Sequence, residues 1–185
     1  MALNETQQSL LKKNILVIDG EITRMMVLYI KEAIGVLYAL KQSPDIIILI
    51  SSDGGDSGCS KDIFDLLKLY PGKKTAIVND AARSAGATIL QAADERLLTR
   101  HAVVLIHHTS SRSVSLDVLR STKRTAKLRT DLEESQRETY KILSERSGQS
   151  ISAIRRACVA AKDMRAHEAI TFGLADGIFT GQLPK

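Results

Sequence analysis

The chain has 185 residues, 44% of them hydrophobic and 25% charged, the balance of one soluble domain with a core of its own. Its net charge of +5 is a modest excess, basic and acidic residues interleave through 112–146, and three Phe, four Tyr and no Trp offer few platforms for bases, so nucleic-acid binding is not expected. No apolar run reaches the roughly 18 residues of a membrane span, since Lys31 and Glu32 break Met25–Leu40, and the N-terminus lacks the layout of a signal peptide, so a cytoplasmic protein without a membrane partner is expected.

Residues 1–13 are polar and read as a flexible end or a short helical turn. Ile15–Ile18 is an apolar, mostly β-branched run closed by Asp19-Gly20, the pattern of a buried strand. Ile22–Leu40 is apolar on most faces and predicts a buried helix. Ser43-Pro44-Asp45 is a turn, and Ile46–Ile50 is a second buried strand running into Ser-Ser-Asp-Gly-Gly-Asp. A helix over Ser60–Leu69 stops at Pro71-Gly72, and Thr75–Val78 is a third strand. Ser84–Ala93 predicts a helix, Arg96–Thr99 and Ala102–His107 two strands.

Ser115–Ser147 contains no Gly or Pro and predicts one long helix of about 50 Å. Shorter helices over Ile151–Ala161 and His167–Phe172 precede a last strand. Continuously apolar strands alternating with helices argue for an α/β fold, a parallel β-sheet core with flanking helices on both faces. The whole chain, 1–185, reads as a single domain with a helical projection over about 110–147.

Three places carry chemistry. Gly54-Gly55 come after a buried strand, where glycine lets main chain approach a ligand and aim N–H groups at it; a plain tight turn is the alternative. Ser84 opens an Ala-rich helix after a strand, where free N–H groups and the helix dipole favour a nucleophile; an ordinary helix cap is the alternative. His107 and His108 end an apolar strand, and because neighbouring strand residues face opposite sides, only one of them can face Ser84. Cys59 and Cys158 sit in neither CxxC nor CxxxH spacing and read as free thiols, so no metal and no cofactor are expected.

Together these stretches resemble the ClpP family of serine peptidases, whose fold is crotonase-like with a long handle helix. That family carries Asn-Ser-Pro-Gly-Gly after a strand, then Ala-Ser-Met-Gly, then Met-Ile-His-Gln-Pro. The matching residues here are Ser51-Ser52-Asp53-Gly54-Gly55, Arg83-Ser84-Ala85-Gly86 and Leu105-Ile106-His107-His108-Thr109. Ile142–Ser150 resembles the segment after the family's handle helix, and Glu168-Ala169 with Gly173-Leu174-Ala175-Asp176 resembles its ending. The resemblance implies acyl transfer: Ser84 as nucleophile, His107 as its general base, and the N–H groups of Gly55 and Ala85 as the oxyanion hole. It also implies a polypeptide substrate and a homo-oligomeric ring, a heptamer or a double ring.

The departures from the family are specific. The position of its catalytic aspartate falls on Ala161, leaving Asp163, two residues on, as the candidate to orient His107. Val159-Ala160-Ala161 also removes the Asp-Arg pair used between rings, and the short stretch before the first strand argues against docking to an AAA+ unfoldase. A serine-type endopeptidase of short or unfolded polypeptides is therefore the leading expectation. A catalytically weak or inactive ClpP-like subunit with a structural or regulatory role is the alternative, and an acyl-CoA enzyme on the same kind of fold is the third.

Overall fold

The computed structural model describes residues 4–40, 43–111 and 113–183. Asn4 Oδ1 accepts from the Gln7 N–H at 2.8 Å and Gln7 Oε1 accepts from the Asn4 N–H at 3.0 Å. This reciprocal box caps α1 (Glu5–Leu11), and Leu11 is buried. The short helical turn is thus the better of the two readings for 5–11, while residues 1–3 lie outside the described part.

After α1 the chain forms β1 (Ile15–Ile22), α2 (Arg24–Tyr38), β2 (Ile46–Gly55), α3 (Ser57–Leu69), β3 (Lys74–Arg83), α4 (Ala85–Leu90), β4 (Glu95–Leu98) and β5 (Val103–Leu105). Next come α5 (Leu116–Arg120), α6 (Thr122–Ser147), α7 (Ile151–Ala160), β6 (Met164–Arg165), α8 (Ala166–Phe172) and β7 (Gly177–Ile178). Strands β1, β2, β3, β4 and β7 lie side by side in that order, all parallel. β5 pairs parallel with β3, and β6 pairs antiparallel with β5.

β3 serves two neighbours in turn. Its lower half, Thr75–Val78, faces Glu95–Leu98 of β4, and its upper half, Ala81–Arg83, faces Val103–Leu105 of β5. Between the halves the register against β2 slips, with Ile50 opposite Val78 but Ser52 opposite Ala82. Such a bulge bends a strand and re-aims the residues beyond it. Here it directs the upper half of β3 toward β5.

The core lies under one face of the sheet. Ile46, Ile48 and Ile50 of β2 are buried with Ile30 and Leu37 of α2, Ile63 and Leu67 of α3, and Ile89 of α4. Each such side chain contributes about 1.5–3 kcal/mol on leaving water. Ile47 and Leu49, on the other face of β2, are only half-buried. The two-sided cover expected from continuously apolar strands is therefore incomplete in the single chain.

The long projection is two helices rather than one. Ser121 adopts extended backbone (φ −104°, ψ 108°) and its hydroxyl caps α6 by accepting from the Arg124 N–H at 3.3 Å. Thr125 Oγ1 donates back to the Val118 carbonyl at 2.7 Å, which fixes the corner between α5 and α6. α6 has 26 residues, of which Leu143 near its end is buried. Its outer turns stand in solvent, laced by the i,i+4 pairs Lys127–Asp131 and Arg129–Glu133. Among the described residues, no helix is long and apolar enough to cross a membrane.

Candidate active site

The ends of three adjacent strands build the site. β2 ends on Gly54-Gly55, β3 on Arg83, and β5 on Leu105, the residue that pairs with Arg83. The Ser84 N–H donates to the Leu105 carbonyl at 2.8 Å. Ser84, one residue beyond β3, and His107, two beyond β5, are thereby delivered side by side.

Ser84 has φ 53° and ψ −116°. A residue with a Cβ seldom adopts this backbone, at a cost of about 1–3 kcal/mol. Its hydroxyl makes no capping bond to α4. Ser115 and Ser150, which do cap helices here, sit in ordinary extended backbone with φ −69° and −66°. The helix-cap reading does not describe Ser84. A strained strand-to-helix turn that holds up an unengaged hydroxyl is the geometry of a nucleophile elbow.

The glycine pair is pressed against that elbow. A Cβ built on Gly54 (φ 106°) would stand 2.6 Å from Ser84 Cβ, and one on Gly55 (φ 155°) 2.2 Å from the Ile22 carbonyl oxygen. Main chain alone fits between β1 and Ser84, so the pair is more than a tight turn. Ala85 opens α4, and the first N–H groups of a helix have no intrahelical acceptor.

Ser84, Ala85, Gly55 and His107 line one cavity of about 670 Å³, with Leu128 and Leu132 of α6 on its far wall. His107 is half-buried, and its Nδ1 lies 2.6 Å from the His108 carbonyl oxygen. A carbonyl can only accept, so Nδ1 is a proton-bearing nitrogen, and in the neutral tautomer this selects, the lone pair is on Nε2. Ser84 Oγ and the imidazole share the cavity without a direct hydrogen bond, and such contacts commonly close only when substrate is bound. His108 turns the other way, its ring edge against Tyr140 with centroids 6.2 Å apart.

Asp163 does not meet His107. Arg83 Nε donates to its Oδ1 at 2.7 Å and an Arg83 Nη to its Oδ2 at 2.8 Å, while the other Nη reaches Asp53 at 2.5 Å. The hydrogen bonds from Arg83 hold the Asp163 carboxyl below the usual carboxylate range. The expected orienting role is corrected accordingly: the guanidinium of Arg83, next to Ser84 in the chain, bonds both oxygens. Ala161, at the position of the family aspartate, ends α7 in left-handed backbone (φ 44°, ψ 44°) and offers no polar side-chain atom.

Two contributors have no clear signal in the sequence. Arg83 is adjacent to Ser84 in the chain, but its partners lie 30 and 80 residues away. The His108 carbonyl is main chain and has no residue-type signature. A hydroxyl at a strained turn, an imidazole held through Nδ1, and main-chain N–H groups around one cavity are the parts that acyl transfer needs.

Comparison with known proteins agrees with this architecture. The family model described as Clp protease matches residues 2–182. The ATP-dependent Clp protease proteolytic subunit 1 of Chlamydia muridarum is 31% identical over 142 residues, covering 72% of this chain and 69% of that protein. The same-named subunit of Bacillus cereus is 27% identical, covering 91% and 86%. The solved structure of a Listeria monocytogenes ClpP1 mutant matches with TM-score 0.82 at 20% identity, covering 96% of this chain and 97% of its own. The fold is that of ClpP, and with a family match spanning nearly its whole length, the chain belongs to the Clp protease family.

Proposed function

We propose that the chain is a serine-type endopeptidase that hydrolyses short or unfolded polypeptides with a Ser84–His107 dyad. The observation that carries the reading is the strained Ser84 turn, with its uncapped hydroxyl, in one cavity with His107 and with Gly55 and Ala85. Ser84 Oγ attacks the scissile carbonyl carbon, and its proton passes to His107 Nε2. The carbonyl oxygen, now negative, accepts hydrogen bonds from the N–H groups of Gly55 and Ala85. Collapse breaks the C–N bond, and the amine leaves with the proton from Nε2. Water then repeats the sequence on the acyl-enzyme. One lost oxyanion donor typically costs about 10²–10³ in rate, and main-chain donors are unaffected by the Ala85 side chain.

Asp163 enters this proposal as the anchor of Arg83 rather than as the third catalytic member. Without a carboxylate on its base, a serine hydrolase can lose about 10⁴ in kcat and still exceed the uncatalysed reaction, so slow turnover is expected. Family membership supports a ring of identical subunits, and the half-covered sheet face at Ile47 and Leu49 suits a neighbouring subunit. Coupling to an unfoldase is not part of the proposal. Ala161 favours a second reading, a non-catalytic ClpP-like subunit.

The deciding experiment is labelling with a fluorophosphonate or β-lactone probe beside a Ser84→Ala control. Covalent adduct on Ser84 and slow cleavage of fluorogenic peptides are expected. Labelling no stronger than the control would leave the non-catalytic reading.

A further inference from the structure

The proposed base has no carboxylate behind it, yet its ring is held. The peptide unit between His108 and Thr109 is bonded at both ends. Its carbonyl accepts from His107 Nδ1 at 2.6 Å, and its N–H donates to Gln136 Oε1. Gln136 lies on α6, and Tyr140, one turn further along the same face, packs against the His108 ring. The handle helix therefore bonds this peptide through its N–H and packs against the ring of the residue before it, and the peptide's carbonyl holds the imidazole.

We propose that Gln136 is a positioning residue for the Ser84–His107 chemistry: it sets the plane of the 108–109 peptide, whose carbonyl fixes the tautomer and direction of the His107 ring. The inference rests on the reading of His107 as the base.

Three observations carry it. The Gln136 amide has one permitted orientation, because its partner is an N–H and only Oε1 can accept. That orientation leaves Gln136 Nε2 buried without a hydrogen-bond partner among the described residues. Burying an unpaired donor is unfavourable, and a methionine of similar length would fill the space without it. Methionine would, however, leave the Thr109 N–H without its acceptor, so the amide is kept here for the oxygen it offers that peptide. The carboxylate that could otherwise hold the ring is absent, with Ala161 apolar and Asp163 bonded to Arg83. A peptide whose N–H is already engaged is also a more polarised acceptor at its carbonyl. The relay supplies direction to the imidazole and no formal charge, which fits a slow enzyme better than a dead one.

The test reads the ring directly. The chain has four histidines, so protein labelled with ¹⁵N-histidine gives few ring signals, and His107→Gln identifies the relevant pair. In the assembled wild type, His107 is expected as the Nδ1–H tautomer. Gln136→Met should move it toward the Nε2–H tautomer, and Gln136→Glu, which keeps an acceptor for the Thr109 N–H, should retain Nδ1–H. Thr109→Pro removes the same bond from the other side and should reproduce the methionine variant if that one folds poorly. On peptide substrate, Gln136→Met should lower kcat about ten- to a hundredfold with KM within twofold, and Gln136→Glu should restore most of it. An Nε2–H tautomer in the wild type, or the same spectrum in Gln136→Met as in wild type, would overturn the relay. The expected tautomer changes in a protein whose Ser84 takes up no probe would sustain the relay and reject the peptidase.

Discussion

Replacing Gly54 by alanine tests how Ser84, the proposed nucleophile, is placed. The new Cβ would stand 2.6 Å from Ser84 Cβ and 3.0 Å from the Arg83 carbonyl oxygen, where unbonded carbons rest about 3.5–4.0 Å apart. The Ser84 turn must then retreat by roughly 1 Å. A misplacement of that size at a reacting atom costs about 10² in rate. The backbone at Gly54 has φ 106°, so the new side chain adds strain of about 1–3 kcal/mol. Gly148→Ala is the matched control, with φ 71° and nothing within 4 Å of its built Cβ. It carries the backbone penalty without a collision. The assay is the rate of fluorophosphonate labelling, with thermal unfolding monitored by circular dichroism. Gly54→Ala should label about a hundredfold more slowly and melt lower. Gly148→Ala should melt about 2–4 °C lower per kcal/mol lost and label like wild type. A folded Gly54→Ala that labels at the wild-type rate would refute the packing of Ser84 on the glycine loop.

Ser84→Gly should remove all labelling and still raise stability by about 1 kcal/mol, because φ 53° with ψ −116° is open to glycine and strained for serine; an unchanged or lower melting temperature would mean that the turn stores no strain. Asp163→Asn should slow labelling less than about tenfold, whereas loss of a ring-orienting aspartate costs about 10⁴; a loss in the thousands would put Asp163 back on His107. The Arg83–Asp163 pair should also show in acid. The folded Asp163 titrates below its unfolded value of about 3.9, so its contribution is complete above that pH and disappears as pH falls through the folded value. The gap in denaturant midpoint between wild type and Asp163→Asn should accordingly be flat from pH 7 to 5 and close below about 4. Arg96→Met should destabilise by about 3 kcal/mol, since the 6%-exposed Arg96 side chain holds Asp176, Gln91 and the carbonyls of Arg146 and Gly173; a melting temperature within 2 °C of wild type would show that the network is dispensable.

The centres of the strands were legible because Ile15–Ile18, Ile46–Ile50 and Thr75–Val78 are apolar and rich in β-branched residues. Their upper ends were not. Ser51–Gly55 and Asn79–Arg83 are polar or small and are strands only because a neighbour supplies the pairing. Those ends carry the site, so periodicity fades where the chemistry begins. The break at Ser121 had a local signal, a serine able to cap the helix after it, hidden in a charged run without Gly or Pro. β6 is two residues held by β5, too short for any pattern. Ser84, His107, Gly55 and Ala85 could be named because residue type and order carried them, and the structure brings them to one cavity. Asp163 could not be assigned from its position, because its partner was decided by an arginine 80 residues away.

An imidazole fastened by a carbonyl of its own chain is fastened by an atom every amino acid carries. No exchange of the side chain at position 108 deletes that oxygen; inserting or removing residues just downstream would turn it aside. Drift that frees the imidazole should therefore collect as changes of length between His108 and α5, and at Gln136, rather than at position 108 itself. A catalogue of side chains would record a vacancy at Ala161 in working and broken copies alike.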